Sequence, residues 1–385
     1  MGAIIQIIEQ ETSGVSFNSF RYSYDTGMHG PIDYDDNKDV VWKEYGETEK
    51  LTKPLSLKND ALSRKDYPSI FSFFLDGSRH TYKIDDMSFG KNVYPILAGQ
   101  IGVGCCERVN KVLKPALNFE QRLVIAMPDK AFSTDWDSLD QTKVLLQKIN
   151  KRVNPRGYSD IKLSDILLYD TNKDDKFEKK GIAKIQDYMV EREKQLVAEL
   201  TSKNRLDEAN YLVKDGSLDY QRVSAKSNKN ALNLSDERIL NNYRRVIGVS
   251  KSFDPTKCQV QGGGTNSNII AKLNVFERTP AYRYTSSRAS ADFCIWYVRV
   301  RDARYTNSIF DGVLKVEKLI VTETERVHGI NTDDINTITA CLLNERNPVC
   351  YGADERWANH LYPIYVTEQY IKSKYLSSQL FMRLF

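Results

Sequence analysis

The sequence has few of the residues that mark metal-stapled, disulfide-stapled or membrane-spanning proteins. Its 385 residues include four histidines and six cysteines, and no two cysteines form a Cys-x-x-Cys pair. This argues against structural zinc and favours reduced thiols in the cytoplasm. No stretch approaches 18 apolar residues, and the opening AIIQII is followed at once by Glu9 and Glu11, so we expect neither a membrane span nor a signal peptide.

An excess of one charge and long flexible linkers are also missing. The 55 Lys and Arg residues face 51 Asp and Glu residues, a net charge of +4, so any nucleic-acid site must be a local patch. Apolar residues make up 41% of the chain and aromatic residues 11%, which excludes disordered and collagen-like classes. One elaborated folded domain fits these numbers as well as two domains do.

The order of predicted elements indicates an α/β fold. Residues 1–65 are polar and lack helix periodicity, which predicts an irregular N-terminal extension. Strands, then a helix, two strand regions and further helices indicate a layered sheet. The predicted elements are three strands from residue 70 to about 109, the first ending at Asp76-Gly77-Ser78, a strand at 122–128, a helix at 181–203, strands in NYLVKD, RVIGVSKS, DFCIWYVRV and GVLKVEKLIV, a helix from Asp333 to about Leu343, and a last helix from about Ile364 to Leu384.

Asp-Gly pairs occur three times in strand context, at Asp76, Asp215 and Asp311. Asp-Gly is a common hairpin turn signal, and at Asp311 a turn is a sufficient explanation. The runs before the other two, FSFFL and NYLV, are typical of interior strands. Ligands of open α/β sheets bind at the ends of such strands. Asp76 and Asp215 are therefore candidate functional acids.

Two predicted helices each carry an acid on an apolar face. In the helix at 181–203, Glu193 lies within a stripe of apolar residues; in the last helix, Glu368 shares a face with Ile364 and Ile371. A buried lone carboxylate needs a cation, hydrogen-bond donors or a raised pKa. For Glu193 the structural alternative is an ion pair with a core-facing Arg or Lys; for Glu368 it is a bond to a tyrosine hydroxyl or a backbone amide.

Four acids around one point repel each other unless a cation neutralises them. Oxygen-only ligands suit Mn²⁺ or Mg²⁺ rather than zinc. Two such ions about 3.5 to 4 Å apart promote phosphodiester hydrolysis by activating water and stabilising the leaving oxygen. Lys251, after the strand RVIGVS, is placed to stabilise the phosphate, unless it is an ordinary surface lysine.

Five motifs resemble, in order and character, those of NurA nucleases: FFLDGSR, EREKQLVAEL, LVKDGSL, IGVSKS and YPIYVTEQ. The resemblance covers residues 66–385, with an enlarged middle region at about 128–180. It implies an RNase H-like mixed sheet flanked by helices, Mn²⁺-dependent degradation of DNA ends, a homodimer, and a HerA-type hexameric ATPase as partner, in end resection or phage defence.

The resemblance also suggests roles for single residues. Asp76 and Asp215 match the strand ligands of the family, and Glu193 the helix glutamate, with Glu199 as the alternative. The family has a His or Asp on its last helix, where this chain departs from the pattern. We take Glu368 as the fourth ligand; the remaining candidates there are Gln369, Tyr370 and His360.

Basic residues on either side of the second DGS motif predict a track for the DNA backbone. For both basic stretches the alternative interpretation is a solvated charged face. Tyr362 is another candidate DNA contact, for which the alternative is packing against the protein. A catalytically silent nucleic-acid-binding or assembly subunit, or an RNase of the same fold, fits these residues too. The track consists of Arg222, Lys226, Lys229, Arg238, Arg244, Arg245 and Lys251, together with Lys148, Lys151, Arg152 and Arg156.

Overall fold

The computed structural model describes most of the chain. The residues described are 3–12, 14–17, 21–24, 40–41, 43–132, 138–153, 162–171, 176–223, 231–255, 258–259, 265–306, 308–346 and 355–385. The helices are α1 (Ala3–Thr12), α2 (Lys58–Ser63), α3 (Ser138–Val153), α4 (Phe177–Ser202), α5 (Glu237–Asn241), α6 (Ser267–Ala271), α7 (Glu323–His328), α8 (Thr332–Glu345), α9 (Tyr362–Lys372) and α10 (Ser378–Arg383).

Most strands in these ranges belong to one mixed sheet, and β3 and β13 form a separate pair. The strands are β1 (Val15–Ser16), β2 (Tyr22–Ser23), β3 (Val40–Val41), β4 (Lys43–Tyr45), β5 (Leu55–Ser56), β6 (Phe71–Phe89), β7 (Asn92–Val109), β8 (Val112–Pro115), β9 (Glu120–Pro128), β10 (Leu163–Tyr169), β11 (Tyr211–Asp215), β12 (Val246–Ser250), β13 (Cys258–Gln259), β14 (Glu277–Arg278), β15 (Tyr282–Ser286), β16 (Ala291–Arg299) and β17 (Val313–Leu319).

The centre of the large sheet has the order β9-β7-β6-β11-β12. Strand β7 is antiparallel to both of its neighbours, whereas β6, β11 and β12 run parallel. Numbered along the chain this order is 3-2-1-4-5, with the second strand antiparallel, as in RNase H-like sheets. The predicted α/β class, an RNase H-like mixed sheet flanked by helices, is confirmed.

Helices cover both faces of this centre. On one face α4 packs Ile182, Ile185 and Leu196 against Phe73 and Leu75 of β6. On the other face α8 and α9 pack in a core with Phe71 and Phe74 of the same strand, to which α9 contributes Ile364. From Phe73 to Leu75 successive side chains alternate between the two faces, as the two-residue period of a strand requires. A register shift between Phe71 and Phe73 puts those two residues on opposite faces.

Strand β6 continues through the DGS motif, where the sequence predicted that a strand would end. Its 19 residues from Phe71 to Phe89 pair with β7 without interruption at the motif, Asp76 opposite Gly104 and Gly77 opposite Val103. Buried side chains continue beyond the motif at Tyr82, which keeps the strand in the core. Asp-Gly is therefore not a turn here, and Asp76 lies within a strand.

The two ends of the chain also differ from the prediction. The N-terminal region, expected to be irregular, begins with α1, whose Ile4, Ile5, Ile7 and Ile8 are buried. An I-I-x-I-I spacing places these four side chains on one helical face, a pattern too short to be recognised by periodicity alone. The predicted last helix is two helices, α9 and α10, because Ser377 caps a new helix by accepting a hydrogen bond from the Leu380 amide. None of the helices in the described part of the chain has the length and apolar character to span a bilayer.

Candidate active site

Three neighbouring parallel strands bring Asp76, Asp215 and Lys251 together. Strand β11 pairs with β6 up to Lys214 opposite Leu75, so the next residues along, Asp215 and Asp76, are neighbours. Strand β12 pairs with β11 with Val249 opposite Asp215, and Lys251 follows two residues later. The register of the sheet alone therefore assembles two acids and a lysine that are far apart in sequence.

Asp76 faces α9. Its cross-strand partner is Gly104, where a side chain would meet Ile371 of α9 at 3.0 Å. Directly paired residues project from the same face of a sheet, so the Asp76 carboxylate lies on the α9 side. Helix α9 also carries Glu368. The fourth predicted ligand and the first-strand aspartate thus share one face of the sheet.

Lys251 links the acids on this face. Its ammonium lies 2.9 Å from Asp215 Oδ2 and 3.7 Å from Glu368 Oε2, and 8% of its side chain is exposed. Burial lowers the pKa of Lys251, but the charges of Asp215, Asp76 and Glu368 outweigh it, and the pKa rises above its ordinary value. The lysine is therefore buried and charged, and it is not the surface residue that the sequence allowed.

Glu368 has a second cationic neighbour. Its Oε1 accepts a 2.6 Å hydrogen bond from Lys372, one turn later and largely at the surface. Burial raises the pKa of Glu368, yet Lys251 and Lys372 reverse the effect and lower the pKa below its usual range. Glu368 is accordingly an ionised carboxylate, held between a buried lysine and a half-exposed one.

Glu193 reaches the same stretch of β6 from the α4 side. It is 2% exposed, and its Oε2 lies 3.2 Å from Lys214 Nζ without the geometry of a hydrogen bond. Burial raises the pKa of Glu193, against the opposing effect of Lys214. The ion pair with a core-facing lysine, the alternative that the sequence left open, is therefore present in the structure.

Gly77 explains how the glutamate comes so close to the strand. A Cβ at residue 77 would lie 2.3 Å from Glu193 Oε1, closer than real Cβ contacts allow. Only glycine leaves room for the carboxylate over the backbone beside Asp76. The glycine of the first DGS motif therefore permits close approach of a helix side chain.

Asp76 is a buried carboxyl group without a direct partner among the described residues. It is 4% exposed, and within the described residues no hydrogen bond or ion pair reaches its carboxylate. Burial raises the pKa of Asp76 well above its ordinary value, the negative charges of Asp215, Glu368 and Glu193 raise it further, and Lys251 opposes them. An acid in this environment gains most from an added cation.

Asn359 was not predicted from the sequence. It is buried just before α9; its Nδ2 donates to the Lys251 carbonyl, and its Oδ1 accepts from the Gly312 amide. One side chain thus connects the end of β12 to the turn before β17. Asn359 lies in a segment without periodicity, RWANHLYP, so no sequence signal distinguishes it.

Carboxylate oxygens are suitable ligands for a hard cation, but in the structure the four acids are not arranged around a single point. Within the described ranges, no group of three or more His, Cys, Asp or Glu side chains is placed to hold a metal ion. The ammonium of Lys251 lies where Asp215 and Glu368 come closest to each other, and Glu193 stays on the opposite face of the sheet. Among the described residues, Asp76 is the one of the four acids without an ion pair, so its carboxyl oxygens are the hard donors left open to a divalent ion.

The alternative ligands lie elsewhere. Glu199 pairs with Lys203 at 2.6 Å on the outer side of α4, and Gln369 is exposed. His360 is 1% exposed and stacks on Tyr365, with ring centroids 5.8 Å apart. None of these three side chains is among the groups that shift the pKa of Asp76.

The predicted DNA track is only partly brought near the acids. Arg222 is exposed after the second DGS motif, and Tyr362, 50% exposed, begins α9. Arg244 is exposed and Arg245 binds Tyr211 and Glu208, both at the start of β12 and so at the strand end opposite Lys251. Lys226, Lys229 and Arg156 lie outside the described residues.

The remaining basic candidates lie away from the acids. Lys148 of α3 pairs with Glu11 of α1 at 2.5 Å, and Arg152 donates to Gln10. Lys151 is exposed on the same helix, and Arg238 pairs with Asp236 at 3.0 Å. In the structure these basic residues are exposed to solvent or paired with a neighbouring side chain.

The fold and the acids define the chain as a protein with an RNase H-like sheet and a buried carboxylate cluster at its centre. No protein-family model and no curated protein matches the chain. Among solved structures it is similar to the NurA nuclease from Sulfolobus solfataricus, with a TM-score of 0.40 and 10% identity over 78% of each chain. An overlap at this level carries no argument about activity, which has to come from the side chains of the site.

Proposed function

We propose that the protein is a metal-dependent deoxyribonuclease that hydrolyses phosphodiester bonds at this cluster. The observation that supports the proposal is charge. Asp76, Glu193, Asp215 and Glu368 lie along one stretch of β6 and β11, and in the part of the chain that the structure describes the buried lysines paired with these acids are Lys214 and Lys251. With all four carboxyl groups ionised, they would exceed the two lysines by two negative charges, which is the charge of one divalent cation. The raised pKa of Asp76 and of Glu193 shows that ionisation is unfavourable without such a cation.

Each residue of the site has a separate proposed role. Asp76, Asp215 and Glu368 would hold Mn²⁺ or Mg²⁺ on the α9 face, and Glu193, on the α4 face, would add negative charge beside Asp76. The bound ion would activate the attacking water and stabilise the leaving oxygen. Lys251 carries the positive charge that would face the phosphate, and Tyr362 and Arg222 would contact the DNA backbone.

The test is degradation of end-labelled DNA with Mn²⁺, for the wild type and for Asp76→Asn and Asp215→Asn. Each substitution keeps the shape of the side chain and removes the charge, so we expect loss of cleavage with folding retained. Asp302→Asn is the matched control, because Asp302 pairs with Arg304 in an exposed 3₁₀ turn. Full activity in both site variants would rule out the proposal.

A catalytically silent nucleic-acid-binding or assembly subunit is the second candidate. The observation that favours it is that Lys214 and Lys251 already pair with three of the four acids. Thermal melting with millimolar Mn²⁺ separates the two. An ion at 100 times its Kd stabilises the folded state by about 2.7 kcal/mol, whereas a silent subunit shows almost no shift.

Substrate and partners follow from the motif resemblance alone. We propose DNA rather than RNA as substrate, a homodimer, and a HerA-type hexameric ATPase as partner in end resection or phage defence. Cleavage of matched DNA and RNA strands tests the first. Molecular mass in solution tests the second. Co-purification with a HerA-type ATPase tests the third.

A further inference from the structure

We propose that Lys251 is a built-in competitor of the divalent cation: its ammonium occupies the place between Asp215 and Glu368 and leaves it when the cation binds. This inference rests on the proposed function, because it concerns the same carboxylates. It assigns to the chain itself the control of when the site is loaded.

The Lys251 ammonium lies where a cation would bind. The ammonium is 2.9 Å from Asp215 and 3.7 Å from Glu368, and both distances run to oxygens that a cation would need. Asp76 feels the same ammonium, which opposes the rise in its pKa. Lys251 therefore acts on all three acids of the α9 face. A second cation entering there would meet a site already partly neutralised.

The side chain of Lys251 can move while its backbone stays in place. Asn359 holds the Lys251 carbonyl and is itself held by the Gly312 amide. Strand β12 fixes the residues before it. The four-carbon side chain is the only flexible part, and an ammonium carries no directional demand that ties it to one pair of oxygens. Displacement thus requires rotamer changes alone.

Lys214, the other buried lysine of the site, has different partners. Its ammonium donates to the backbone carbonyls of Asp215 at 2.7 Å and Ser217 at 3.3 Å, besides lying near Glu193. These carbonyls remain its partners whatever binds the carboxylates. Within the described residues, Lys251 has only carboxylate partners for its ammonium. Of the two buried lysines, it is the one whose place a cation takes.

The experiment is Mn²⁺ titration by calorimetry of the wild type, Lys251→Met and Lys372→Met, without DNA. Lys372→Met is the matched control: it removes the same charge from the same acid, Glu368, but on the exposed side. We expect Lys251→Met to bind Mn²⁺ about tenfold more tightly, or more, as for two ligands that exclude each other. We expect Lys372→Met to stay within about threefold of the wild type, because exposed pairs are screened.

The outcomes separate this inference from the function on which it rests. Equal or weaker binding by Lys251→Met, with a wild type that binds, overturns the competition and leaves the metal site standing. Equal tightening by Lys372→Met overturns it too, since net charge would then explain both. Binding by Lys251→Met alone supports it most strongly. Failure of every variant to bind overturns both proposals.

A measurement on the wild type covers the case in which Lys251→Met does not fold. Acetylation of lysines, followed by peptide mass mapping, is compared with and without Mn²⁺. Once Lys251 is released from the carboxylates that keep it protonated, its amine should be acetylated several-fold faster with the ion present, while the rate at Lys372 should hardly change. An unchanged rate at Lys251 in protein shown by calorimetry to bind Mn²⁺ would contradict the displacement.

Discussion

Replacing Gly77 by alanine probes the closest contact in the site. The added Cβ would lie 2.3 Å from Glu193 Oε1, against a comfortable separation of roughly 3.5 Å. Glu193 has little room to withdraw, because it is 2% exposed and lies 3.2 Å from Lys214. Overpacking of this kind costs about 1 to 3 kcal/mol. We expect Gly77→Ala to lower the free energy of unfolding by that amount, measured in urea.

The cause is tested by a double-mutant cycle with Glu193→Ala. Glu193→Ala destabilises the protein by itself, since it leaves Lys214 buried without its acid. In that background the alanine at residue 77 has space, so its cost should fall to within about 0.5 kcal/mol of zero. An unchanged cost would mean that Gly77 is needed for the strand backbone and not for the glutamate, which would refute the reasoning.

Three further outcomes follow from single contacts. Asn359→Ala should lower kcat for Mn²⁺-dependent DNA cleavage more than it changes KM, because Asn359 positions Lys251 through its carbonyl; an unchanged kcat in a folded variant would contradict this. Ile8→Ala should cost about 2 to 5 kcal/mol in urea unfolding, since the side chain is fully buried in α1, and a cost under 0.5 kcal/mol would mean that α1 does not dock. Burial raises the pKa of Glu325, but Lys318 and the amides of Thr322 and Val321 outweigh burial, and the pKa is lowered in the folded protein. Ionised Glu325 therefore stabilises the folded state fully above the unfolded pKa of about 4.3, and this contribution disappears as the pH falls through the folded pKa. Glu325→Gln should thus be about 1 kcal/mol less stable than the wild type at pH 7, with the gap closing below about pH 4; a gap independent of pH would contradict the assignment.

The acids of the site could be predicted from the sequence because buried positions follow the period of a strand or a helix. Asp76 follows an apolar strand, and Glu193 interrupts an apolar helical stripe. Both observations need only the periods of strand and helix. The sheet class was accessible for the same reason, from the order of apolar runs and helices.

The structural role of the first Asp-Gly pair could not be predicted from the sequence pattern. The same two residues make a turn in one context and a site of close approach in another. Only the pairing of β6 with β7 across Gly77, and the position of Glu193 over it, distinguish the two. Local sequence contains neither partner.

The partners of the basic and amide side chains in the site could not be predicted from sequence patterns. Lys214 sits in the apolar run NYLVKD, so its burial could have been inferred, but the identity of its partner is a tertiary fact. Asn359 has no pattern at all. Arg244 and Arg245 counted as part of a basic track by proximity in sequence, yet strand β12 separates them from Lys251. Charge along a chain does not specify which end of a strand it occupies.

The most direct measurement of the central claim is an anomalous difference map from a crystal soaked in Mn²⁺. The account predicts a peak on the α9 face of the sheet, ligated by Asp76 and Asp215, with the Lys251 ammonium moved away from Asp215 and Glu368. A map with no peak at these carboxylates, at a Mn²⁺ concentration that supports DNA cleavage, would contradict it.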